Sequence, residues 1–261
     1  MATNPFNNQL PIPGVKKIIA VASGKGGVGK STVATNLALA LREYGEVGLL
    51  DADIYGPSIP RMMGSVNQKL MIDQNQKIQP LQRLGIKLMS IGFLVEESAA
   101  VVWRGPMLFK AMDQFFKDVQ WGELDYLVID LPPGTGDVQL SVVQKVPVTA
   151  AVIVSTPQNV SLIDAKKAID MFERTQTPVM GLVENMSYMT NPANGEKIQL
   201  FPKGEMDSYL KSKNIPKLAE IPFNTDVSMG SEAGIPIVES HPTSLESKCF
   251  FELAKKISLL P

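Results

Sequence analysis

Residues 24–32 read Gly-Lys-Gly-Gly-Val-Gly-Lys-Ser-Thr, between an apolar run from Ile18 to Ala22 and a segment with apolar residues at Val33, Leu37 and Leu41. A spacing of four puts those three on one helical face, so the order is buried strand, glycine-rich turn, helix. Glycines remove the Cβ atoms that would keep backbone N–H groups from converging, and a helix start adds about half a positive charge. Polyanions bind such a turn. Gly24, Gly29, Lys30 and Ser31 fit the spacing G-x-x-x-x-G-K-[ST]. The backbone of Gly24, Gly26, Gly27, Val28, Gly29 and Thr32 is expected to cradle phosphates. Lys30 then neutralises the outer ones, and the Ser31 hydroxyl ligates Mg2+. Lys25, a second lysine early in the loop, is the unusual element.

The 261 residues suit one α/β domain over 15–261, preceded by a mobile arm over 1–14 that is rich in Asn, Gln and Pro. An apolar fraction of 44% with only 7% aromatic residues favours aliphatic layers around a parallel sheet. Net charge is −1, with no basic run longer than two, so neither nucleic acid nor an anionic membrane is an expected partner. The N-terminus lacks the pattern of a signal peptide, and the single cysteine, Cys249, cannot form an intrachain disulfide. A cytoplasmic location is expected.

Strands are expected at Val47–Leu50, Ile86–Ile91, Leu124–Ile129, Ala150–Ser155, Val179–Val183 and Leu218–Ile221. Helices are expected at 105–119, 138–144, 159–174, 205–212 and 243–258. In the 159–174 helix Val160, Ile163, Ala168, Ile169 and Phe172 are expected to point inward. Residues 54–84 read as an irregular excursion with room for a hairpin, and 187–204 as a polar loop. The alternation implies a doubly wound, mostly parallel sheet with helices on both faces and a ligand crevice at the C-terminal strand ends.

Three aspartates stand at those ends. Asp130 closes the apolar strand Tyr126–Ile129, where a carboxylate can meet a metal. Asp51 and Asp53 are two apart, so on an extended strand they share a side. Phosphoryl transfer to water needs a held phosphate, a bridging metal and a group that orients water, and this set can supply all three. Gly134 and Gly136 flank Thr135 in a loop able to respond to a γ-phosphate.

With Lys25 ahead of Gly26-Gly27, the loop resembles the deviant P-loop of the MinD, ParA and Mrp ATPases. The resemblance is closest to the Mrp, ApbC and Nbp branch, which is associated with iron-sulfur cluster carriage and assembly. It is carried by Leu50–Pro60, Val102–Pro106, Trp121–Tyr126, Asp130–Asp137, Glu184–Tyr188 and Gly234–Ile237. It implies ATP as the nucleotide, a homodimer in which Lys25 reaches the partner's phosphates, and iron-sulfur apoproteins or assembly factors as partners. It further implies Asp53 as the water-orienting residue, Asp51 near Ser31 and the metal, and Asn185 with Pro222 and Phe223 at the adenine.

One position departs from that family. Where the family has Cys-Pro-x-Cys, this chain has Asn191-Pro-Ala-Asn194. Clusters are held chiefly by thiolates, so these amides argue against a bridged cluster there. Cys249 reads as a packed small residue and His241, before Pro242, as a turn residue. Two other functions stay open: a MinD- or ParA-like spatial organiser, and an ATP-binding interaction module without cluster carriage.

Overall fold

The apolar strand before the glycine loop becomes the middle of an eight-stranded sheet. The computed structural model describes residues 9–53, 56–93, 112–202 and 204–261. The strands are β1 (Val15–Ala22), β2 (Val47–Asp51), β3 (Met71–Ile72), β4 (Ile78–Gln79), β5 (Leu81–Arg83), β6 (Ile86–Ser90), β7 (Leu124–Asp130), β8 (Ala150–Ser155), β9 (Val179–Glu184), β10 (Met189–Thr190), β11 (Lys197–Ile198) and β12 (Lys217–Glu220). The main sheet runs β12-β9-β8-β1-β7-β2-β6-β5. All its pairings are parallel except β5 with β6, which is an antiparallel edge. This is the doubly wound, mostly parallel architecture expected from the sequence.

Two aliphatic cores form because side chains alternate along each strand. Ile19, Val21, Leu49 and Val128 face α1 (Lys30–Leu41) and the closing helix Leu245–Ser258. Ile18, Ala20, Leu50 and Ile129 face the opposite core, where Phe172 of the helix Asn159–Arg174 and Phe115 are packed. Each fully buried Leu, Ile or Phe contributes about 1.5–3 kcal/mol of transfer free energy, so both layers hold the sheet. Trp121 is buried in the second core. Residues 112–117 are helical, with Met112, Phe115 and Phe116 buried, and the helix expected to 119 ends before Asp118 and Val119; residues 105–111, the 102–106 motif and Trp103 lie outside the described residues.

Several local expectations need correction. Val160 and Ile163 are 66% and 58% exposed. The buried stripe of their helix is Leu162, Ala165, Ile169 and Phe172. Those residues follow helical spacing back from Phe172, and Val160 and Ile163 fall on the opposite side. The 187–204 loop contains the antiparallel pair β10–β11. The excursion at 54–84 does hold a hairpin, β3–β4, together with a short helix, α2 (Ile59–Met62), and the β5 edge strand. Two unassigned helices, Thr225–Glu232 and Ile237–Ser240, follow β12.

Within the arm expected over 1–14, residues 9–14 are docked. Leu10 N–H donates to the Lys145 carbonyl at 2.9 Å, Gln9 Nε2 to the Val143 carbonyl at 2.6 Å, and Ile12 is buried.

Candidate functional site

Register brings the aspartates together. Asp51 of β2 is paired across the sheet with Asp130 of β7, and Asp130 also pairs with Val21 of β1, one residue before that strand ends. Leu49 and Val128 face α1, so Asp51 and Asp130, two residues on, face it as well. The glycine loop leaves β1 at that level and starts α1 above them. Gly29 takes a left-handed backbone with φ 80° at the helix start, and no side chain caps α1. The first-turn N–H groups of α1 are therefore left without a side-chain cap, an arrangement suited to an anion. At Gly24 any Cβ would lie 1.9 Å from the Asp164 carbonyl oxygen, so only glycine allows the loop to pass that helix.

Lys30 is buried and points down onto the carboxylates. Its Nζ lies 2.6 Å from Asp130 Oδ1 and 3.8 Å from Asp53 Oδ2, and it donates to Ser31 Oγ at 3.3 Å. Asp51 accepts from Ser90 Oγ at 2.9 Å, from Asp53 N–H at 3.1 Å and from Ile59 N–H at 3.3 Å. β2 ends at Asp51, so Asp53 reaches the site by a turn onto the Asp51 carboxylate and not along an extended strand. Ser90 joins the site without a motif of its own; its signal is its position opposite Asp51 in the β2–β6 register.

Three aspartates and one ammonium leave the site short of positive charge. Burial, with the Asp130 charge beside it, pushes the Asp51 carboxyl up to about 8. Burial also raises Asp130, against the pull of Lys30 and Ser31. A carboxyl whose folded value is raised stabilises the fold most below the ordinary carboxylate range. That stability falls as pH climbs toward 8 and levels off above it. Thermal melts of the nucleotide-free protein should lose stability across this window, with a slope of at most ~1.4 kcal/mol per pH unit for one proton. Asp51→Asn should flatten the slope; an equally steep slope in that variant would assign the titration elsewhere.

Asp130 Oδ2 is fully buried and accepts no hydrogen bond among the described residues. An orphaned carboxylate oxygen next to a serine hydroxyl and a second carboxylate fits a hard cation. Mg2+ is usually held by one or two carboxylates together with phosphate and water, not by a dedicated cage. Among the described residues no three His, Cys, Asp or Glu form a metal cluster, as that mode allows.

Lys25 is half-buried, and its carbonyl accepts from Ser23 Oγ at 2.8 Å. Asn185 lies at the end of β9 against the loop: its Nδ2 donates to the Val28 carbonyl at 2.9 Å, and a Cβ on Gly29 would be 2.2 Å from that nitrogen. Asn185 thus braces the loop with the same amide that was expected to read a base. Pro222 and Phe223 flank the same end, with Phe223 N–H donating to the Tyr188 carbonyl at 2.6 Å and its ring 40% exposed. Asn191 and Asn194 sit at the turn of the β10–β11 hairpin. Asn191 Oδ1 accepts from Ala193 N–H at 2.9 Å, and Asn194 Oδ1 accepts from Glu196 N–H at 3.0 Å. Their amides stitch a tight turn. Cys249 lies in the closing helix with its Sγ donating to the Glu220 carbonyl at 3.6 Å, and burial raises its thiol, which disfavours thiolate chemistry. His241 is exposed at a helix end.

The sequence matches the family described as ParA: NUBPL iron-transfer P-loop NTPase over residues 14–258. An iron-sulfur cluster carrier protein of Aquifex aeolicus is 48% identical, over 97% of this chain and 70% of its own. The iron-sulfur cluster transfer protein NUBPL of Mus musculus is 47% identical, over 95% of this chain and 79% of its own. Among solved structures, the nucleotide-binding protein of Archaeoglobus fulgidus in complex with ADP superposes with a TM-score of 0.78 at 40% identity, covering 96% of this chain and 98% of that one. The cell division ATPase MinD of Pyrococcus furiosus, at 22% identity and a TM-score of 0.68, shares the fold. A loop matching in sequence, a sheet matching in topology and relatives matching over nearly all of this chain lead to one conclusion: this chain belongs to the NUBPL iron-transfer P-loop NTPase family.

Proposed function

We propose that this protein is a Mg2+-dependent ATPase that works as a homodimeric switch in the transfer of iron-sulfur clusters to acceptor apoproteins in the cytoplasm. The observation that carries the reading is the meeting of Lys30 with Asp130 and Asp53, next to Asp51, beneath an uncapped helix start. Lys30 and the loop amides bind and orient the phosphates. Ser31, Asp51 and Asp130 would hold Mg2+, which supplies Lewis-acid stabilisation of charge on the phosphate oxygens. Asp53, at the mouth of this carboxylate group, orients the attacking water. Lys25, on the outer limb of the loop, reaches toward a second copy and adds positive charge at its phosphates. Asn185 connects the loop to the nucleotide's base side, with Pro222 and Phe223 beside it.

The cluster is cargo, and its thiolates come from partner proteins. The Asn191–Asn194 turn offers neutral amides already engaged in backbone bonds, and each subunit has one cysteine, half-buried Cys249. Anaerobic reconstitution with iron and sulfide tests this directly. The isolated protein should retain no visible cluster chromophore after desalting, whereas a mixture with a thiolate-bearing acceptor should. A stable chromophore on the isolated protein would overturn partner ligation.

A further inference from the structure

Gln139 is buried at 1% exposure in the helix Asp137–Lys145, although nothing in the phosphate or metal chemistry uses it. Its Nε2 donates to the Pro132 carbonyl and, at 3.5 Å, to the Ser23 carbonyl. Two carbonyl acceptors fix which end of the amide faces them, so the nitrogen must be the inward atom. Ser23 is the root of the phosphate loop, directly after β1. Its carbonyl also accepts from Gly134 N–H at 3.0 Å, and its hydroxyl donates to the Lys25 carbonyl.

One serine therefore joins three things: the limb that carries Lys25, the Pro132–Gly134 turn that leaves β7 just after Asp130, and the Gln139 amide. Beyond that turn Thr135 and Gly136 are exposed, and Gly134 is left-handed at φ 94°. The Gln139 Oε1 atom is buried with no hydrogen-bond partner among the described residues. A buried acceptor left open in this way awaits a donor.

We infer that Gln139 is a positioning residue for turnover: its amide clasps the Pro132–Gly134 turn to Ser23, so that the turn and the Lys25 limb move as one unit about the phosphate site. The inference rests on the hydrolytic reading above. A clasp of this kind acts on the chemical step more than on nucleotide capture, because the Gln139 bonds end on the Ser23 and Pro132 carbonyls and touch neither Lys30 nor the first turn of α1.

The test is Gln139→Leu, which keeps volume and removes the donor, measured by binding of a fluorescent ATP analogue and by single-turnover phosphate release. Expected are a Kd within about twofold of wild type and a turnover rate lower by about tenfold, the worth of one buried hydrogen bond. An unchanged rate, or a Kd that rises in parallel with the loss of rate, overturns the inference. Should the leucine variant fail to fold, Gln139→Glu serves: its carboxylate faces two carbonyls without a donor, so its rate relative to wild type should recover as pH falls and the carboxyl protonates. A flat relative rate overturns the clasp. Should wild type release no phosphate, the hydrolytic reading fails by itself, and hydrogen exchange at Gly134 N–H still judges the clasp. Faster exchange in Gln139→Leu supports it, and unchanged exchange overturns it.

Discussion

Lys30→Met should weaken ATP binding by about 100-fold or more, because it removes the one buried cation of the phosphate site and its charge-assisted bonds. Isothermal titration of ATP against both proteins measures it. Lys30 also has a second role in the nucleotide-free protein, where its Nζ lies 2.6 Å from a fully buried Asp130. Methionine keeps the length of the side chain but leaves that carboxylate without its cation, and an uncompensated buried charge costs about 3–5 kcal/mol unless it protonates. The melting temperature of Lys30→Met should therefore fall more steeply with rising pH than that of wild type. A variant that binds ATP normally would remove Lys30 from the phosphate site; a variant as stable as wild type at high pH would remove it from the Asp130 pair.

Asp53→Asn should separate binding from chemistry. Its Oδ2 is 3.8 Å from Lys30 Nζ, further than that of Asp130, and its side chain is 12% exposed against 0% for Asp130. Asp53 is thus the carboxylate nearest solvent, which is why the proposed mechanism gives it the attacking water. The amide preserves size and one acceptor oxygen but cannot take a proton, so phosphate release should fall by about 100-fold or more while ATP affinity changes little. ATP should then accumulate on the protein, and sedimentation velocity should detect a longer-lived dimer than with wild type. Loss of affinity equal to the loss of rate would instead give Asp53 a role in holding the nucleotide.

Much of this site was legible because its signals are local. The Gly24–Thr32 spacing names its own chemistry, and strand-end aspartates after apolar runs announce the crevice. The strand β8, a nearly continuous aliphatic run, and the helix Asn159–Arg174, with its helical apolar spacing, match the expectation to the residue. Of that helix's expected inward residues Ala168, Ile169 and Phe172 are buried, whereas Val160 and Ile163 are exposed, since apolar residues lie on both sides of the first turns and periodicity there does not say which side meets the sheet. The β10–β11 hairpin was hidden because its strands are only two residues long, and its turn is held by side chains of Asn191 and Asn194 bonding to nearby backbone. The helix Thr225–Glu232 carries a mid-helix glycine and few apolar residues, but Asn224 caps it by accepting from Asp226 N–H at 2.9 Å, a signal the sequence did offer. Ser90 and Gln139 were invisible for another reason: Ser90 reaches the site through a bond to Asp51 set by strand register, and Gln139 reaches the Ser23 carbonyl only because its loop returns to the end of β1.

The measurement that bears most directly on the account is steady-state phosphate release by the purified wild-type protein, with Mg2+-ATP and with ATP plus a chelator. Lys30, Ser31 and the three aspartates require ATP-dependent release with Mg2+ and its loss with the chelator. A folded protein that binds ATP tightly and releases no phosphate above the Asp53→Asn level would contradict the account and leave a nucleotide-binding module in its place.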